Sequence, residues 1–588
     1  MSPASDQSTL SSYESVNVNR THIAAKIDWA QQKFAGTVTY TLSTALATIR
    51  LDTSYLDIEA VKWCGENLSF HLDARESFRG QALVVNNVPT NSEGQLNITF
   101  STTKECTGLQ FLSPEQTIGK KAPFLFSQCE PIHARSIFPC FDTPAIKSSY
   151  RFEIESAHRV LVSGTPAGNS TGPVWVFEQK VPIPSYLFAI ASGNLEGLPI
   201  GKRSTVWAEP EFVKACQWEF EADTEKQLAA AEKLVFPYEW GTYDVLILPP
   251  SFPFGGMENP NMTFATPTLI AGDRTLVNVI AHELAHSWSG NLVSNASWSH
   301  FWLNEGWTVY IERRILGALH GEAYRHFAAI EGWSDLVSTV NQMPAEYTKL
   351  RLNVTADVDP DDTFSTIPYE KGSTFLWYLE ELVGRDAWDK FIPQYFTKFK
   401  YKSLTTDDFK NTLYEYLDNA KLDTVDWNLW LDTPGLPPKP EFNDEQAVPC
   451  KDLAERWLST RTWREWASPD DIKGWNTLQL VVFLNILLDA PPLSSDAAAG
   501  LGSIYGLGKS NNCEIKFRWL QLAVGAGVTS QNQVLADWLG TVGRMKYVRP
   551  GYQLLKSVDR DLAMATFEEH KSFYHAICRG MVEKDLQK

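Results

Sequence analysis

Residues 278–290 read Asn278-Val-Ile-Ala-His282-Glu283-Leu-Ala-His286-Ser-Trp-Ser-Gly290. Apolar positions recur here at helical spacing, so the stretch predicts a helix within 275–290. Two histidines four residues apart share one face of such a helix, and their imidazoles reach a common point. Zinc suits that arrangement: it takes two neutral imidazole nitrogens and a carboxylate, and leaves a fourth position to water. Glu283, next to the first histidine, reaches the water rather than the metal, which is the placement of a general base. A third ligand is needed. Asn304-Glu305-Gly306 opens the next helical stretch, with Glu305 lying 305 − 286 = 19 positions past His286. The expected ligands are therefore His282, His286 and Glu305. A histidine pair buried for structure alone is the competing reading, and the spaced carboxylate weighs against it.

Around this motif, helical periodicity recurs at Glu221–Val235, Asn304–Leu319 and Ser373–Val383. Before about residue 200 the pattern is different. Gly36–Leu42, Ala82–Val85, Leu96–Phe100 and Val174–Glu178 alternate or carry β-branched residues between Gly, Asn and Pro breaks, which predicts a large antiparallel sheet. After the motif, Pro434, Pro437, Pro438 and Pro440 followed by the polar run Glu441–Gln446 mark a linker. From about 450 onward mostly helices are expected, punctuated by Gly506, Gly508, Gly525 and Gly527. Stacked helix pairs fit that stretch, without a clean internal repeat.

A chain of 588 residues is too long for one hydrophobic core, so several domains are expected. The net charge of −18 repels phosphates, which argues against nucleic acid and anionic membranes as partners. The first twenty residues are polar and lack the apolar stretch of a secretory signal. The longest strongly apolar run, Leu478–Leu488, is too short to span a bilayer and contains Gln479 and Asn485. The eight cysteines show no CxxC or tightly paired spacing and read as reduced thiols. Asn261-Met-Thr and Asn295-Ala-Ser would accept glycans in a secreted chain, beside motifs that a glycan would obstruct. Together these features predict a cytoplasmic protein.

Upstream of the histidines stands Phe254-Gly255-Gly256-Met257-Glu258-Asn259-Pro260. Two glycines let backbone approach an extended ligand closely. Taken with the histidine motif and Trp302-Leu-Asn-Glu-Gly-Trp307, this segment resembles the M1 family of zinc aminopeptidases, and within it the leukotriene A4 hydrolase/aminopeptidase branch. The resemblance continues through Phe126-Ser-Gln-Cys129, Pro139-Cys-Phe-Asp-Thr-Pro144, Thr266-Pro-Thr-Leu269, Pro368-Tyr-Glu-Lys-Gly372, Asp432-Thr-Pro-Gly-Leu-Pro-Pro438 and Gly543-Arg-Met-Lys546.

The resemblance implies a multidomain α+β fold: an N-terminal antiparallel β-sheet domain over 1–204, a thermolysin-like (gluzincin) catalytic domain over 205–437, a Pro-rich linker over 438–449 and a C-terminal all-α helical-repeat domain over 450–588. It implies one zinc ion, short peptide substrates, a monomer and removal of N-terminal residues. Glu258 and Glu130 match positions that bind the free α-amine, within a cradle of Gly255, Gly256, Met257 and Asn259. Tyr369 matches the donor to the developing oxyanion, beside Glu283 as catalytic base. Arg544 and Lys546 match a basic pair that holds a peptide carboxylate, and Asp361 an aspartate used in leukotriene hydration. Taken singly, the two glutamates read as solvated surface acids, Tyr369 as a core tyrosine and Arg544–Lys546 as a solvated basic pair. Glu312 reads two ways, as a partner orienting a zinc-bound imidazole or as a surface acid paired to Arg313. Vertebrate leukotriene hydrolases carry Gln where Glu130 stands and a second Tyr where Phe364 stands. Both departures favour peptide over lipid epoxide as substrate. A non-catalytic peptide-binding scaffold is the remaining alternative, and the intact ligand and base set weighs against it.

Overall fold

Strand formation in the N-terminal region follows from alternation. Along Val16–Asp28 and Lys33–Thr44, buried residues such as Ile23, Ile27, Phe34, Val38 and Leu42 alternate with outward polar ones. These strands sit at the middle of an eight-stranded sheet in the order Thr165–Pro166, Val174–Ile183, Ser148–Glu155, Val16–Asp28, Lys33–Thr44, Ser92–Thr102, Leu56–Trp63, Glu66–Asn67. Pairing is antiparallel except between Val16–Asp28 and Ser148–Glu155, which run parallel with Ile23 opposite Phe152. The computed structural model describes residues 6–168, 172–459 and 462–587. The first five residues of the polar N-terminal stretch lie outside these.

The middle region carries a five-stranded mixed sheet ordered Glu196–Pro199, Thr205–Ala208, Asp244–Ile247, Met262–Ala265, Gly256–Met257. Its first strand precedes the boundary expected at 204. The glycine-bearing strand Gly256–Met257 is an edge, with one side unpaired and open to an extended ligand.

The helix carrying the histidines spans Asn278–Ala285, shorter than the expected 275–290. The chain turns after His286, where Asn291 N–H donates back to the His286 carbonyl at 3.2 Å. This helix packs against Trp302–His320, which packs in turn against Gly372–Val383. The second contact is close because both sides are glycine. A Cβ added to Gly306 or Gly372 would lie 2.8 Å from the other's Cα. That approach sets the turn before Gly372 beside the start of the Trp302 helix.

One apolar cluster runs from Val16 to Leu431 and joins the N-terminal and middle regions. The C-terminal helices, from Val448–Ser459 to Ala576–Gln587, enclose a second core around Phe483, Leu501, Leu520, Tyr547 and Leu555, which Phe327 of the middle region joins. The apolar run Leu478–Leu488 is a helix of that core, Thr477–Asp489. Among the described residues no helix is long and apolar enough to cross a membrane. All eight cysteines are free thiols. Asn261 and Asn295, the two glycan-acceptor candidates, are both buried.

Candidate active site and metal centre

His282 and His286 present Nε2 atoms 3.3 Å apart. Glu305 Oε2, from the first turn of the Trp302 helix, lies 3.5 Å from one and 3.6 Å from the other. Zinc–ligand bonds of about 2.0–2.1 Å in a tetrahedron place ligand atoms about 3.3–3.4 Å apart. The triangle of donors is therefore the right size for one zinc ion. The opposite ring nitrogens are already engaged. His282 Nδ1 pairs with Glu312 Oε2 at 2.9 Å, and His286 Nδ1 with the Ser289 carbonyl and Thr308 Oγ1, each at 3.1 Å. Donation from Nδ1 leaves the Nε2 lone pairs facing the shared point. Burial holds His286 down to about 4, so its ring stays neutral, as a ligand requires.

Glu312 thus pairs with the His282 imidazole and not with Arg313. Arg313 turns away to a bidentate pair with Glu370, both distances 2.8 Å. Consecutive helical residues point about 100° apart, so sequence neighbours have different partners.

Carboxylates converge on the same place. Glu305 Oε2, Glu258 Oε1 and Glu130 Oε1 are buried without any hydrogen-bond partner. Such atoms are costly unless a cation or donor arrives. Burial and mutual repulsion push Glu258 and Glu130 well above the usual carboxylate range. Burial raises Glu283 to about 7. On Glu305 burial also acts upward, but the two imidazoles and the Tyr369 hydroxyl outweigh it and keep it low. Tyr369 sits in a π-helical turn, Ile367–Lys371, with its ring stacked on His282 at 6.1 Å. Gly256 lies hard against the Glu283 carboxylate, and Gly255 against the Arg544 guanidinium.

These groups line one cavity of about 670 Å³. Of the expected residues, Glu130, Gly255, Gly256, Met257, Glu258, His282, Glu283, His286, Glu305, Asp361, Tyr369 and Arg544 all lie on its wall, with Phe364. Asn259 and Lys546 do not. Asn259 is buried. The Lys546 ammonium is turned to Glu514 at 2.7 Å, which leaves Arg544 as the cation on the wall. The sequence reading missed Thr107, Gln110, Gln128, His133, Met545, His575, Ile577 and Met581. Gln128 and Met545 stand inside motifs already singled out, Phe126–Cys129 and Gly543–Lys546. The others carry no local signal.

Comparison with known proteins agrees with this geometry. Residues 11–187 match the peptidase M1 N-terminal domain, 218–430 the peptidase family M1 domain, and 475–586 the leukotriene A4 hydrolase C-terminal domain. The chain is 51% identical to leucine aminopeptidase 2 of Yarrowia lipolytica, over all of this chain and 94% of that one. It is 48% identical to leucine aminopeptidase 2 of Saccharomyces cerevisiae, over all of this chain and 92% of that one. Its fold superposes on yeast LTA4 hydrolase in complex with bestatin with a TM-score of 0.97, at 48% identity, covering 100% of this chain and 98% of that one. A Deinococcus radiodurans M1 zinc metallopeptidase shares the fold over 73% of this chain and 97% of that one, at 21% identity and a TM-score of 0.58. The chain belongs to peptidase family M1, in the group that carries the leukotriene A4 hydrolase C-terminal domain.

Proposed function

We propose that the chain is a zinc aminopeptidase, holding one zinc ion and removing single N-terminal residues from short peptides, di- and tripeptides first. The observation that carries this reading is the pair of carboxylates Glu130 and Glu258, each with a buried oxygen that no hydrogen bond satisfies, beside the histidine–glutamate triangle. An ammonium ion satisfies them, and the only backbone nitrogen of a peptide that is an ammonium is that of its first residue. Zinc bound by His282, His286 and Glu305 would supply a Lewis acid and an acidified water. Glu283 takes the water's proton and passes it to the leaving amine, and its raised affinity for protons suits that exchange. The Tyr369 hydroxyl, kept protonated by burial and the surrounding carboxylates, donates to the oxygen on which negative charge develops. Arg544 receives the far carboxylate and so limits length. We place the protein in the cytoplasm as a monomer. Glu283→Gln leaves all three ligands intact, so it should retain zinc and lose turnover of aminoacyl-anilides. Normal hydrolysis by that variant would remove Glu283 as the base.

A second activity, epoxide opening at the same site, is favoured by Asp361 on the cavity wall and by apolar neighbours such as Phe254 and Phe364. Incubation with leukotriene A4 should give weak diol formation. Product no higher than spontaneous hydrolysis would eliminate it.

A further inference from the structure

A second cavity of about 400 Å³ adjoins the first, and Thr107, His133 and Asp361 line both. These three side chains form a bar. His133 Nδ1 pairs with Thr107 Oγ1 at 2.8 Å, and His133 Nε2 with Asp361 Oδ2 at 2.9 Å. The boundary between the cavities therefore includes side chains able to rotate, rather than backbone alone.

The chamber beyond the bar has its own chemistry. Arg75 lies 3.8 Å over the Tyr55 ring and donates to Ser54 Oγ at 3.1 Å. It has no carboxylate partner among the described residues. Asp359 and Asp361 line the same space. Arg75 and Ser77 are exposed, so the chamber reaches solvent on the side of the N-terminal region.

We propose that this chamber is the exit for the free α-amino acid released by cleavage. The inference rests on Glu130 and Glu258 as the amine holders. The freed residue is then left with its ammonium at the carboxylate end of the cavity, three positions along the chain from His133. The shortened peptide, with its carboxylate toward Arg544, still occupies the rest of the same cavity. A free amino acid is a zwitterion. Its ammonium suits Asp361 and Asp359, and its carboxylate suits Arg75, whose planar fork is available above Tyr55. The volume is in the range of small-ligand sites, roughly 300–1,000 Å³. Rotation of His133 breaks the bar and joins the two spaces, and release through such a gate often sets turnover.

Ser77→Trp narrows the chamber without touching the main cavity wall, and Arg75→Met removes its unpaired cation, Arg135 on the same lining being held by Asp142. Each variant is compared with the parent enzyme on a leucyl tripeptide, by rapid quench with enzyme in excess and by steady-state turnover. Single-turnover cleavage should stay within about twofold of the parent, while kcat falls about fivefold for Ser77→Trp and about threefold for Arg75→Met. A burst of free leucine stoichiometric with enzyme should then appear. Unchanged kcat in both variants overturns the exit. Loss of single-turnover rate in step with kcat also overturns it, because the chamber would then act on cleavage. A parent enzyme that releases no leucine would instead remove the aminopeptidase reading itself.

Discussion

Gly256→Ala tests the placement of Glu283 most directly. A Cβ at position 256 overlaps Glu283 Oε1 and lies 2.7 Å from its Cδ and 3.3 Å from its Cγ. Carbon–carbon contact is comfortable at about 3.5–4.0 Å, so the carboxyl carbon must retreat by about 1 Å. Glu283 is only 7% exposed, and its helix also holds both histidines, so the side chain rather than the backbone gives way. Misplacing a reacting group by about 1 Å costs on the order of 100-fold in rate, or about 3 kcal/mol of transition-state stabilisation. Gly255→Ala is the control. Its Cβ meets the far end of Arg544, with Nη2 at 2.7 Å, and a long side chain can swing aside. Turnover of leucyl-anilide should fall about 100-fold for Gly256→Ala and less than tenfold for Gly255→Ala, with KM for tripeptides rising in the latter. Zinc content by mass spectrometry should match the parent in both. Retention of kcat within about threefold by Gly256→Ala would refute the reasoning, because Glu283 would not need the position it occupies. Loss of zinc would refute it differently, by moving the effect to the ligands.

Three further outcomes are expected. Glu312→Gln removes the charged acceptor at His282 Nδ1, 2.9 Å away, and should weaken zinc binding about 10–100-fold in a chelator competition. Burial works against ionised Glu380, but Arg325, Tyr310 and Arg385 outweigh it and hold its carboxyl at about 2. The folded value lies below the unfolded one, so the group's stabilisation is full above about pH 4.5 and is lost as pH falls toward 2. The gap corresponds to about 3 kcal/mol, and denaturant unfolding between pH 6 and 3 should show a decline that Glu380→Gln flattens. Lys371, fully buried, donates to the carbonyls of Thr348, Thr433 and Gly435 at 2.9, 3.0 and 2.9 Å. Lys371→Met orphans all three, so calorimetry should show a loss of about 3 kcal/mol, accompanied by slower turnover through displacement of Tyr369.

Local pattern was enough for the triangle of His282, His286 and Glu305 because its geometry is local. Four residues of helix bring His282 and His286 onto one face, and a short return brings Glu305 to them. The strand and helix signals were legible for the same reason. Gly36–Leu42 lies within Lys33–Thr44, and Asn304–Leu319 within Trp302–His320. The histidine helix was overestimated because its periodicity continues through Ser287 and Trp288, which are buried by tertiary packing after the helix has ended.

The substrate cavity is another matter. His133 and Asp361, 228 residues apart, meet only because the N-terminal sheet and the middle region share one apolar core. Lys546 stands beside Arg544 in sequence, yet Glu514 of another helix draws its ammonium off the wall. Helical periodicity and ligand spacing are short-range properties that the sequence alone determined. Which side chains face a common void depends on how distant elements pack, and that was decided only by the tertiary structure, because burial is a property of the assembled surface and not of any single segment.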